Sequence, residues 1–533
     1  MTFHGQQIIA GAQSARGLST FNAVDPSTGQ PLPEEFHEAT IDEIDAALHS
    51  AATAFGTFRA ASGARIAGFL EAVVAELETL GDDLVNRAHA ETGLPLTRLQ
   101  NERQRMLNGV RIFADMAREG SWVSARIDRA DPGRKPAPKP DLRSMLMPIG
   151  PVVVFGASNF PLAISVAGND TMGALAAGCP VIAKAHPAHP GTSELVGDAI
   201  ARGVARTGLP AGVFSMVHGV THETGLALTR HPATRAVAFT GSLAGGRALF
   251  DAGASRPDPI PVYAEMGSTN PVILLPGALK ARADDIAASY IESVTMGVGQ
   301  FCTNPGIVLG MDDPALDRFI ESAGRRAGEW SPATMLHGGI RDAFTRGVER
   351  LEHTAGVRLA GRSNAHVDAQ LTQAPCVIAS TTADVLESQP HLMEEIFGPA
   401  SVVASCRDRA ELERVVRGLS GHLTASVHGT TEDLLEFRDL IALIETKVGR
   451  IIFNGFGTGL EVCPAVHHGG PYPATTDPHF TSIGQAGIFR FARPVCYQNF
   501  PQEALPETLR DRNAAGIWRL IDGQLTQDDV TPV

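Results

Sequence analysis

Cysteine is scarce in this chain: six residues in 533, at 179, 302, 376, 406, 463 and 496, never as a C-x-x-C pair. That scatter excludes a disulfide scaffold and fits free thiols in a reducing compartment. Basic residues are also in deficit, 44 Lys plus Arg against 58 Asp plus Glu for a formal charge of −14, with no Lys/Arg-rich run. Such a surface repels phosphate backbones and anionic membranes, so neither nucleic acid nor a membrane is expected as partner. No uninterrupted apolar stretch is long enough to span a bilayer. The opening MTFHGQQIIAGAQSARG lacks the basic region and apolar run of a signal peptide, so a cytoplasmic address is expected. There is no G-x-x-x-x-G-K-[ST] phosphate loop, no internal repeat and no low-complexity tract.

What is present is a large apolar fraction, 44% against 19% charged. A chain of 533 residues exceeds the roughly 250–300 residues at which a single core stops growing, so two or three domains are expected. From Thr40 to about Met116, apolar residues at three- and four-residue spacings predict helices. RADPGRKPAPKPDL, Arg129 to Leu142, breaks that pattern and reads as a loop, arm or edge hairpin. PVVVF, PVIAK, VFSMV, RAVAF and PVYAEM then alternate with amphipathic segments, one of them a helix from about Leu162 to Ala177. Short apolar runs joined by crossover helices predict an α/β fold with a doubly wound parallel sheet. A second helix-and-strand region runs from about Asn270 to Ala465, and GIFRFARPVCYQNFP after Ile483 reads as an edge strand suited to pairing with a neighbouring subunit.

Four features could carry chemistry. Asn159 in ASNFPLA follows a strand and could donate its carboxamide N–H to an oxyanion, although an Asn in a turn usually caps backbone. Gly241 and Gly246 in FTGSLAGG join a strand to a helix and would let backbone approach a pyrophosphate. This is not G-x-G-x-x-G, and such a turn is more often structural. Glu265 in AEMGSTN ends an apolar strand, where burial would raise its pKa and suit a general base. Cys302 in MGVGQFCTNPG sits among small residues whose backbone N–H groups would lower its pKa, against the bland reading of a buried, inert thiol.

Together, ASNFP, AKAHP, FTGS, AEMGSTNP, GQFCTNPG and EEIFGP occur in the order and at the spacings of the NAD(P)-dependent aldehyde dehydrogenase superfamily, which the chain resembles from about residue 20 to 500. The closing stretch GTGLEVCPAVHHGGPYPATTDPHFTSIG with RFARPVCYQN is similar to the α-ketoglutaric semialdehyde (2,5-dioxovalerate) dehydrogenase subgroup. The resemblance implies an NAD(P)-binding, Rossmann-like domain over 1–128 and 146–266 and an α/β catalytic domain over 267–482. It further implies an oligomerisation element over 129–145 and 483–500, a tail over 501–533, and a homo-oligomer, dimer or tetramer.

By the same resemblance Cys302 is the nucleophile, Asn159 and the Cys302 N–H stabilise the oxyanion, and Glu265 activates the hydrolytic water. Lys184 binds the adenosine ribose, Gly241 and Ser242 meet the pyrophosphate, Gly246 keeps its helix close to the sheet, Glu395 binds the nicotinamide ribose and Phe397 packs beside the nicotinamide. Many NAD-preferring members carry a Glu three residues after this lysine; here it is Pro187. No carboxylate repels a 2′-phosphate, which His222 or Lys184 could face, so NADP is favoured and NAD allowed. For a keto-acid semialdehyde the remote carboxylate needs a cation. ERQRMLNGVRIFADM offers Arg103, Arg105 and Arg111, of which Arg105 is the choice. No metal is expected, since the spacing of Cys463, His467 and His468 is not usual for zinc. The rival readings are another semialdehyde or fatty aldehyde dehydrogenase, a CoA-acylating enzyme, a non-catalytic paralogue, and a cofactor-free cysteine hydrolase pairing Cys302 with a histidine such as His467.

Overall fold

The computed structural model describes residues 3–368 and 371–531 and is built around three sheets. In the first, five strands run parallel in the spatial order Val262–Glu265, Ala236–Thr240, Val152–Phe155, Val181–Lys184 and Phe214–Val217. The chain therefore starts in the middle, winds outward to one side, then returns to the other. That reversal lies between Val152–Phe155 and Ala236–Thr240, and ligands of doubly wound sheets sit in the crevice beyond the strand ends at such a point. Asn159 follows the first of these strands and Gly241 the second. The strands are buried on both faces, Val152, Val153, Val181, Ile182, Ala236, Val237 and Ala238 all at 0% exposure, which is why they read as unbroken apolar runs.

A second seven-stranded sheet takes residues from Val272 to Phe453, six strands parallel and one, Arg358–Arg362, antiparallel at the edge. The third, five-stranded sheet pairs Ala492–Gln498 with Leu142–Pro148 and then Arg126–Asp128. The proline-rich segment is the loop of that hairpin, with Asp131 and Lys139 bridged across it.

Two expectations need correction. The helix expected from Leu162 to Ala177 spans only Asn169–Ala176. Glu102, buried on the helix Leu96–Glu119, captures the N–H groups of Leu162 (2.9 Å) and Ala163 (3.1 Å), and these residues form turns in place of helix. The stretch 501–533, expected as a tail, contributes Arg519–Ile521 and Gln524–Thr526 to the third sheet, the former parallel to Arg126–Asp128. The buried Arg519 guanidinium holds this return by donating to the carbonyls of Arg510, Asp511 and Asp528. Among the described residues no helix is long and apolar enough to cross a membrane.

Candidate active site

Cys302 sits on a loop held from three sides. Before it, Gly297, Val298 and Gly299 all take positive φ, at 55°, 59° and 67°. For a β-branched valine that is a strained backbone, kept only because its surroundings over-determine it. Gly299 is required outright: a Cβ there would lie 2.2 Å from the Gly398 carbonyl carbon. Behind the thiol, Asn270 donates its amide to the carbonyls of Cys302 and Asn304, both at 2.9 Å. The Asn270 oxygen is in turn held by Ser268 and Thr424 hydroxyls. Asn159 closes the third side, donating through Nδ2 to the Gln300 carbonyl at 3.1 Å. Its own carbonyl accepts from Arg98 at 2.7 Å, so its main chain is fixed, and one amide hydrogen is left for an incoming oxygen.

Glu265 and Cys302 come together through a residue that motif reading left in a packing role. His468 Nε2 stands 3.3 Å from Cys302 Sγ and 3.1 Å from Glu265 Oε1. Its backbone N–H donates to Thr481 Oγ1 at 2.8 Å, and its carbonyl accepts from the Ser482 N–H at 2.8 Å, which sets the ring. The Ser482 hydroxyl donates to the second oxygen of Glu265. His467, the histidine weighed for a hydrolase, is not the one that meets the thiol.

The electrostatics reverse two expectations. Burial does push Glu265 upward, but His468 and the Ser482 hydroxyl outweigh it and hold the carboxyl below its ordinary value. The Cys302 thiol is pushed well up, not down: burial is the main cause and the Glu265 charge adds to it, with Arg105 acting the other way. At rest the sulfur keeps its proton, and chemistry has to remove it.

Arg105 lies on the wall of a cavity of about 390 Å³ that also includes Gln104, Met172, Leu460, Glu461 and Ile483. Its guanidinium stacks 5.6 Å from the Phe160 ring centre. Arg103 donates to the Gly81 carbonyl and Arg111 to Glu78 and Asn108, so both are spent elsewhere. Helical spacing separates the three, as expected.

On the other side of the crevice, Ser242 caps the helix Leu243–Ala254, accepting from the Gly245 N–H. Gly241, Ser242, Leu243 and Ala244 are exposed. A Cβ on Gly241 would lie 2.6 Å from the Phe239 ring, and one on Gly246 2.6 Å from Met266 Cγ. Lys184 ends its strand with Nζ donating to the Gly219 carbonyl at 2.6 Å, and burial pulls its pKa down to about 8. An open, glycine-lined helix start with a lysine two strands away fits a dinucleotide. Glu395 lies across from Gly267, where an added Cβ would stand 2.6 Å from its Oε2, and Phe397 is half-buried beside it. His222 is exposed at the start of the helix His222–Arg230.

The aldehyde dehydrogenase family profile matches residues 13–470. The chain belongs to that family. It is 49% identical over 526 residues to alpha-ketoglutaric semialdehyde dehydrogenase 2 of Azospirillum brasilense, covering 98% of this chain and 100% of the relative. It is 42% identical over 525 residues to alpha-ketoglutaric semialdehyde dehydrogenase of Acinetobacter baylyi, covering 98% and 99%. Among solved structures, 1-pyrroline-5-carboxylate dehydrogenase from Thermus with bound NAD superposes with a TM-score of 0.78 at 21% identity over 92% of each chain, a likeness of fold. This aldehyde dehydrogenase family member keeps a thiol, a carboxylate and a carboxamide where its sequence placed them. The residues that sequence reading missed are His468, Ser482, Asn270, Glu102 and Arg98.

Proposed function

We propose that the chain oxidises α-ketoglutaric semialdehyde to 2-oxoglutarate, with NADP favoured over NAD. The observation that carries this reading is the convergence of Cys302 and Glu265 on His468 at the mouth of a doubly wound sheet. Cys302 Sγ attacks the aldehyde carbon, and its proton leaves through His468 Nε2, which it already touches. The free amide hydrogen of Asn159 and the Cys302 N–H face the oxygen that gains charge. Lys184, Gly241 and Ser242 would hold the dinucleotide, with Glu395 and Phe397 toward its nicotinamide end, and the cofactor would supply a hydride acceptor for oxidation of the adduct to a thioester. Glu265, held in the carboxylate form, then takes a proton from water as that water attacks the thioester, and Cys302 departs as the leaving group. Retention of this carboxylate favours water over CoA as acceptor.

The cavity lined by Arg105 offers that cation to the distant carboxylate of the substrate, and the two close relatives are named for this semialdehyde. With Pro187 at the position that would otherwise carry an acid, Lys184 is left as the charge nearest a 2′-phosphate. Two open edges support a homo-oligomer: Ala492–Gln498 is outermost in the third sheet and Val448–Phe453 in the second, where Ile451 and Phe453 are 37% and 47% exposed. The division into cofactor-binding and catalytic domains joined near 266–267 belongs to the same proposal.

The test is a purified-enzyme screen of α-ketoglutaric semialdehyde, succinic semialdehyde, glutaraldehyde and a long-chain aldehyde with each cofactor, following reduced cofactor by absorbance. The keto acid semialdehyde is expected to give the highest kcat/KM. A tenfold preference for the long-chain aldehyde would overturn the substrate, and a tenfold NAD preference the cofactor.

A further inference from the structure

Three ligand atoms of the catalytic centre, Cys302 Sγ, His468 Nε2 and a Glu265 carboxylate oxygen, lie within 4.8 Å of one another. A thiolate, an imidazole and a carboxylate on three separate chain segments are a zinc donor set, one that spacing along the sequence could not reveal. The two separations that involve the imidazole agree. With Zn–S near 2.3 Å and Zn–N and Zn–O near 2.0 Å, tetrahedral angles put sulfur about 3.5 Å from nitrogen and nitrogen about 3.3 Å from oxygen. Here the two separations are 3.3 and 3.1 Å. The remaining carboxylate oxygen is already held by Ser482, and the imidazole by its clamped backbone, so two of the three ligands need little rearrangement.

We infer that this centre is a reversible, inhibitory zinc site, in which Zn²⁺ takes Cys302, His468 and Glu265 and leaves its fourth position to water. Binding forms one Zn–S, one Zn–N and one Zn–O bond. The thiol proton passes to solvent, the neutral imidazole binds through Nε2 with its proton on Nδ1, and no electron changes hands. The metal then occupies the lone pair that attacks the aldehyde and the carboxylate that activates water, so turnover stops. Affinity is limited by the same ring: Nδ1 is buried with no hydrogen-bond partner, so the proton that zinc displaces onto it finds no acceptor. A histidine held in a resident zinc site usually donates that second N–H to a carboxylate or carbonyl. The structure therefore describes a regulator that comes and goes, and not a permanent cofactor.

The experiment uses the full chain without nucleotide. Zinc affinity is read by competition with a chromophoric chelator, and Co²⁺ is added separately to look for a thiolate-to-cobalt absorption band. One zinc per chain is expected, with about one proton released on binding. Cys302→Ser and His468→Gln should each weaken affinity at least tenfold, Glu265→Gln several-fold, and Cys463→Ser not at all. The cobalt band should vanish in Cys302→Ser, and aldehyde oxidation should be blocked by zinc in competition with aldehyde and restored by a chelator. Unchanged affinity in His468→Gln would reduce the site to a thiol adduct and overturn the inference. Should a variant fail to fold, X-ray absorption of the wild-type cobalt complex decides: one sulfur with nitrogen and oxygen neighbours supports the site, and sulfur absent sinks it. If no aldehyde is oxidised while zinc still binds as described, the dehydrogenase reading falls and the metal site stands.

Discussion

The thiol side and the nucleotide side of the crevice are built on opposite plans. Around Cys302 the side chains are buried and bonded to one another: Glu265 at 4% exposure, His468 at 2% and Asn270 at 3%. Around Gly241 the chain is bare, with four consecutive exposed residues at a helix start that only the Ser242 side chain caps. A covalent reaction needs each reacting atom fixed and most water removed, whereas a dinucleotide that must leave each cycle is better held by backbone on an open rim. Damage on the first side should therefore fall on kcat, and damage on the second on cofactor KM.

The sharpest way to break that contrast is at the sulfur. Cys302→Ser should cut formation of reduced cofactor by about 10³-fold or more, with the circular dichroism spectrum unchanged. Next, Glu265→Gln should lower steady-state turnover by about 10²-fold yet keep a burst of one reduced cofactor per chain in stopped-flow, because only thioester hydrolysis is lost. A missing burst would move Glu265 into the first half-reaction. His468→Ala should lower kcat by about tenfold or more and change the rate at which iodoacetamide alkylates Cys302, since it frees both neighbours of the ring.

Arg105→Ala should raise KM for the keto acid semialdehyde by about tenfold while leaving propanal unaffected, because a lost charge-assisted bond is about 1.5–3 kcal/mol. The smallest effect belongs to Lys184, whose pKa lies down near 8. Its charge is present below that pH and is lost as pH rises through it, so KM for NADP should climb several-fold between about pH 7 and 9 and KM for NAD less. Equal climbs would place the lysine away from the 2′-phosphate.

Much of this architecture was legible because buried parallel strands write themselves as apolar runs. PVVVF, PVIAK and RAVAF all became strands; Lys184 ends the second, and the turns after the other two carry Asn159 and Gly241. What stayed hidden depended on contacts between segments far apart. No local pattern at Leu162 shows that Glu102, some sixty positions earlier, will take its N–H and delay the helix. Nor does anything around His468 reveal that the irregular loop carrying it folds back onto Glu265, about two hundred residues upstream. The pKa directions inverted for the same reason: the thiol was judged by its own turn, but the segments that fold over it bury it, and Glu265 among them adds its charge.

The pairing of Arg519–Ile521 alongside Arg126–Asp128 has a practical corollary for anyone shortening or fusing this chain. Residues 519–531 are a zip: backbone pairing with Arg126–Asp128 fastens it to the third sheet, and the Arg519 side chain ties Asp528 back to Arg510 and Asp511. Cutting before that arginine would bare the edge of Arg126–Asp128 and leave the carbonyls of Arg510 and Asp511 without their guanidinium, so a clipped protein should precipitate long before its chemistry fails.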